Sequence, residues 1–130
     1  MAASTDLFEA YAKWRELSQT EAAALVASNW SLVTQCQEAK RALQPLILAR
    51  TEAAQEEWRL AGPAGAKAQS QLRARIAELM AIELANATAV SARRQACLNR
   101  KAELQRAHRN VGRIHRSYAL QRPASWQSYS

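Results

Sequence analysis

Apolar positions in this chain recur at spacings of four and three along most of its length. The first set is Leu7, Tyr11, Trp14, Ser18 and Leu25, widened by Phe8, Leu17, Ala22 and Val26. Such spacing marks one face of a helix that packs on others. Asp6 followed by Glu9 has capping-box spacing, so a first helix is predicted over about 5–27. Ser28 and Asn29 interrupt the pattern. Asn29 is a favourable N-cap, and Trp30 then opens the next helix and is expected to staple it onto the first.

The second stripe is Leu32, Cys36, Ala39, Leu43 and Leu46, with Ile47, Ala54 and Trp58 on a neighbouring line, which predicts a helix over about 30–60. Pro45 falls inside it. Proline removes one backbone donor and crowds the carbonyl four residues earlier, so a kink near Arg41 is expected rather than a break. Gly62-Pro63-Ala64-Gly65 is the strongest turn signal.

A third helix is predicted over about 66–118. Ile76, Glu83, Val90, Cys97, Leu104, Val111 and Tyr118 repeat every seven residues, interleaved with Leu79, Asn86, Arg93, Arg100, Ala107 and Ile114. This is a coiled-coil-like signal. Glu83, Asn86, Arg93 and Arg100 interrupt it, so the middle of the helix is expected to face a wet groove or a polar partner. The elements define an all-α fold, an antiparallel three-helix bundle with a long last helix, forming one domain over 5–118. Residues 119–130 are expected to be a mobile tail.

The turn sets the expected register, in which facing residues of helices two and three sum to about 127 and Trp30 meets Cys97. Everything beyond Cys97 would then overhang. That stretch carries Leu104, Ala107, Val111, Ile114 and Tyr118 on one face and Arg106, Arg109, Arg113 and Arg116 on another. An amphipathic helix with an uncovered apolar face invites a partner helix, a fold-back at Gly112, or dimerisation. The partner-binding candidates are Leu104, Ala107, Val111, Ile114, Tyr118, Arg106, Arg109 and Arg113.

Composition supports the helices. Of 130 residues 29 are Ala and 14 are Leu, against 3 Gly, 3 Pro, 4 Val and 4 Ile, which leaves little from which to build strands or turns. The charge of +7 is uneven. Residues 1–65 hold 6 Lys/Arg against 8 acids, a net of −2, and residues 66–130 hold 12 against 3, a net of +9. A nucleic acid, an acidic protein or plain solvation can account for a basic face. Only Tyr118 offers an aromatic ring within the basic stretch, which weakens the nucleic-acid interpretation.

Candidate chemistry is sparse. Cys36 and Cys97 sit on apolar seams, where buried small hydrophobes are expected, and they make no disulfide framework. His108 and His115 are seven apart among cations, a poor metal pair. No nucleophile setting, phosphate loop or paired-carboxylate motif stands out, so no enzyme activity, metal or cofactor is expected. Trp14 and Trp58 are core candidates, and Trp126 beside Tyr129 has either no role or a docking role. Without a signal-like start or an apolar run of about 20 residues, a soluble cytoplasmic protein is expected.

The aromatic first helix (Phe8, Tyr11, Trp14) ends in Leu25-Val-Ala-Ser-Asn-Trp30-Ser-Leu32, a polar break before an aromatic helix start. A second helix, a Gly/Pro turn and a long last helix bearing Asn86 and Tyr118 follow. Over residues 5–118 this order resembles the small all-helical flagellar export chaperones of the FlgN and FliT type. The resemblance implies a chaperone that binds hook-associated or filament-cap subunits before type III export; a monomer or homodimer is expected. It places their amphipathic terminal helices against Leu104, Val111, Ile114 and Tyr118. The alternative is a coiled-coil component of the export ATPase complex, FliJ-like, built as a hairpin of two long arms. Ser28-Asn29 and Pro45 speak against an unbroken first arm. A basic helical nucleic-acid-associated protein ranks third.

Overall fold

The computed structural model describes residues 2–120. Three helices account for nearly all of them: α1 (Ala2–Val26), α2 (Trp30–Ala61) and α3 (Pro63–Leu120), with no strand among the described residues. The fold is the all-α three-helix bundle that the periodicity predicts. Two compact units divide it, Met1–Val90 and Ser91–Ser130. Trp126 and Tyr129 lie outside the described residues, as does the expected tail apart from Ala119 and Leu120, which belong to α3.

In the first unit α1 and α2 run antiparallel, joined by a three-residue turn in which both helix ends are satisfied. Ser28 takes a positive φ of 56°. Asn29 donates its N–H to the Ala24 carbonyl at 2.8 Å and Ser28 to that of Leu25 at 3.2 Å, a Schellman closure of α1. Asn29 then caps α2, its side chain accepting from the Leu32 N–H at 3.2 Å. Trp30 does not staple the turn. It is 44% exposed, and Ala24, Leu25 and Val33 form the core at this end instead.

The start of α1 differs from expectation. The helix begins at Ala2, which leaves Asp6 and Glu9 inside it rather than at its cap. Glu57 of α2 takes over that role, its carboxylate accepting from the Ser4 N–H at 2.9 Å and the Ala3 N–H at 3.3 Å. A carboxylate there meets free donors and the positive end of the helix dipole.

α2 continues through Pro45. Its buried residues are Val33, Cys36, Lys40, Ala54 and Trp58; Cys36, Ala54 and Trp58 fall on the expected stripes, whereas Val33 and Lys40 turn inward in place of Leu32 and Ala39. The turn into α3 is a single residue, Gly62, at φ 62°. Pro63 opens α3 directly, a position where its missing N–H costs nothing. Two residues on, Gly65 is buried so tightly that a Cβ there would collide with the Trp58 carbonyl oxygen. The shorter turn changes the register: Lys40 meets Glu83, one helical turn before the Ala87 that the expected register sets opposite it. Leu7, Ala54, Trp58, Ala68 and Leu72 form the main core, with Ile47 and Ile76 packed against it.

Candidate functional site

The first unit encloses a polar cluster between all three helices. α1 contributes Trp14, Ser18 and Glu21, α2 Lys40, and α3 Glu83 and Asn86. The Lys40 ammonium lies 2.9 Å and 3.0 Å from the two oxygens of Glu83 and 3.3 Å from Glu21 Oε1. Glu83 Oε1 also accepts from the Trp14 indole at 3.0 Å and from the Ser18 hydroxyl. The Asn86 amide donates to the Ser18 carbonyl and to Glu21 Oε1, both at 3.0 Å. Lys40 further stands 5.7 Å from the Trp14 ring centre.

Burial alone would raise the Glu83 carboxyl. Hydrogen bonds from Ser18 and Lys40, the Lys40 charge and the Trp14 indole outweigh it and hold that carboxyl below its usual range. Ser18 is sealed at 0% exposure, so a substrate has no path to its hydroxyl. The cluster acts as a register lock, because a shift of any helix would strand a buried charge.

Glu83 and Asn86 thus meet the polar partner that the heptad leaves open, inside the chain, and Glu83 also borders an open groove. Local spacing missed Glu21 and Lys40, although a signal existed. Glu21 falls between Ser18 and Leu25 on the same seam, and Lys40 lies four residues after Cys36.

Beside the cluster, an open groove of about 620 Å³ runs between the helices. Tyr11, Trp14, Ile47, Leu79 and Met80 line much of it, and Glu83 stands at its polar edge. The Tyr11 hydroxyl is pushed up by burial, opposed by its hydrogen bond with Thr51.

The sequence-predicted binding residues all lie in the second unit. From Arg94 to Leu120 every residue except Gly112 is exposed, and α3 passes through Gly112 without folding back. Leu104, Ala107, Val111, Ile114 and Tyr118 share one helical face, since residues three and four apart stack along a helix. At about 100° per residue, Arg109 points away from that stripe, and Arg106 and Arg113 stand well round the helix from it. The helix therefore brings the five apolar candidates together and sets the three arginines apart.

Cys36 is buried as expected. Cys97 is exposed, because the seam it belongs to is uncovered there. His108 and His115 are exposed as well. Among the described residues no three His, Cys, Asp or Glu side chains gather as a metal site, and no helix is long and apolar enough to cross a membrane. Compared with family models, curated proteins and solved structures, the chain matches none.

Proposed function

We propose that this chain is a non-enzymatic export chaperone. It holds the amphipathic terminal helix of a flagellar hook-associated or filament-cap subunit before type III secretion, in the cytoplasm. One observation carries this reading. Leu104, Val111, Ile114 and Tyr118, four large apolar side chains on one face of α3, are each 62–69% exposed. Covering one such side chain contributes about 1.5–3 kcal/mol, and an amphipathic helix laid along the stripe covers all four. The break between α1 and α2 at Ala27–Asn29 favours this reading over a hairpin with one unbroken first arm.

Calorimetry of the full chain against terminal-helix peptides of hook-associated and cap proteins tests the proposal. The expected result is binding at tens of micromolar or tighter that disappears in the Val111→Glu, Ile114→Glu double variant. An absence of binding, or binding indifferent to that pair, overturns it.

A further inference from the structure

The apolar stripe has a charged end. Counting back from Leu104 by four gives Arg100, which lies on the line of the stripe itself; Lys101, the next residue, flanks that line about 100° round the helix. Both are exposed and neither has an ion-pair partner among the described residues. Four of the six arginines of the first unit contrast with this. Arg15 pairs with Glu78, Arg59 with Glu56, Arg50 donates to the Asp6 carbonyl, and Arg75 covers the Phe8 ring.

We infer that the partner of α3 is an amphipathic helix with an acidic end, its carboxylates set against Arg100 and Lys101 and its apolar side chains along Leu104 to Tyr118. This rests on the helix-binding function proposed above and adds the chemistry of the partner. A helix that covers Leu104 also covers the adjoining turn. Removing the Arg100 guanidinium from water without a counter-charge is costly, whereas an aligned carboxylate satisfies it with charge-assisted hydrogen bonds. From Leu104 to Tyr118 the stripe is about 21 Å long, or four turns of a partner helix. A second copy of the chain fits poorly, because residues 91–120 hold 8 Lys/Arg and the single acid Glu103 and would oppose like charges. The basic residues Arg106, Arg109 and Arg113 lie off the stripe, so the charge on its own line is concentrated at one end.

Three helical peptides of about 20 residues test this with the full chain in calorimetry. They share one apolar stripe and carry two Glu, two Gln or two Lys at the end that meets Arg100. The Glu peptide is expected to bind at least tenfold more tightly than the Gln peptide. In the Arg100→Glu, Lys101→Glu variant that advantage vanishes and the Lys peptide becomes the tightest. Equal binding of Glu and Gln peptides overturns the acidic-end inference and leaves helix binding intact. Binding of neither overturns helix binding itself. Displacement of the Glu peptide by a 20-base-pair DNA duplex, with steep salt dependence, assigns the basic end to phosphate and overturns the inference. Sedimentation showing a dimer that excludes the Glu peptide assigns the stripe to a second copy and does the same.

Discussion

Lys40 Nζ sits 2.9 Å and 3.0 Å from the two carboxylate oxygens of Glu83, joining α2 to α3 across 43 residues of sequence. Glu21 lies 3.3 Å from the same ammonium, and its other oxygen, Oε2, is buried without a hydrogen-bond partner among the described residues. One cation thus serves two carboxylates, and the cluster depends on it.

Replacing that cation should be severe. Lys40→Met leaves Glu21 and Glu83 without a counter-charge, and a loss of about 3–5 kcal/mol is expected in urea unfolding. Adding Glu21→Leu and Glu83→Leu should restore most of the loss, since apolar replacement of a whole buried ion cluster is often neutral or stabilising.

Acid should weaken the fold through the same group. The Glu83 carboxyl is held below its usual range. The stability it contributes is therefore fully present above the unfolded carboxylate value of about 4.3 and is lost as pH falls through the lower folded value. Thermal midpoints measured from pH 6 downward should drop below about pH 4.3. In Lys40→Met this drop should be shallower.

Two glycines should respond to alanine for different reasons. At Gly65 an added Cβ meets the Trp58 carbonyl, which is backbone and cannot swing aside, so α3 must move off α2. About 1–3 kcal/mol is expected, with a change in Trp58 fluorescence. At Gly62 a Cβ has open space, and only the positive φ resists it. That cost, about 1–3 kcal/mol of backbone strain, should leave Trp58 fluorescence unchanged.

The helix starts can be compared directly. Asn29→Ala removes a local cap and Glu57→Ala a cap supplied from another helix, each expected to cost about 0.5–2 kcal/mol. Hydrogen exchange should separate them. Asn29→Ala should speed exchange at Leu32, and Glu57→Ala at Ser4.

The two thiols should also differ. Burial, with the nearby Glu21 charge, pushes the Cys36 thiol up against the opposing effect of Lys40, and Cys97 is exposed. A disulfide reagent at neutral pH should modify one thiol per folded chain, Cys97, and reach Cys36 only when denaturant is added.

What the sequence made legible was what neighbouring residues decide. The 4,3 spacing located all three helices, and Asn29 and Gly62 marked their ends, because caps and turns depend on a few adjacent residues. Distant pairings stayed hidden. Glu57 starts α1 from the far end of α2, so α1 begins before Asp6. Polar residues at heptad positions can be satisfied by water, by a partner or by each other, and nothing in the spacing of Glu83 and Asn86 points to Lys40 and Glu21. The register depended on one detail, whether Pro63 to Gly65 formed turn or helix. Of the eight binding candidates, the helix groups Leu104, Ala107, Val111, Ile114 and Tyr118, while Arg100, at the end of their line, reads in the sequence as an interruption of the seam.

The cluster's wiring also bears on the order in which the chain assembles. Glu21 and Lys40 are 19 residues apart, whereas Ser18 and Glu83 are 65 apart. Closing the shorter loop loses less chain entropy, and the two residues belong to helices that leave the ribosome first. The α1–α2 hairpin is therefore favoured to form early, with Lys40 already holding one counter-charge. When α3 arrives, Glu83 and Asn86 find their donors and acceptors in place, and their docking completes a half-built network rather than beginning one.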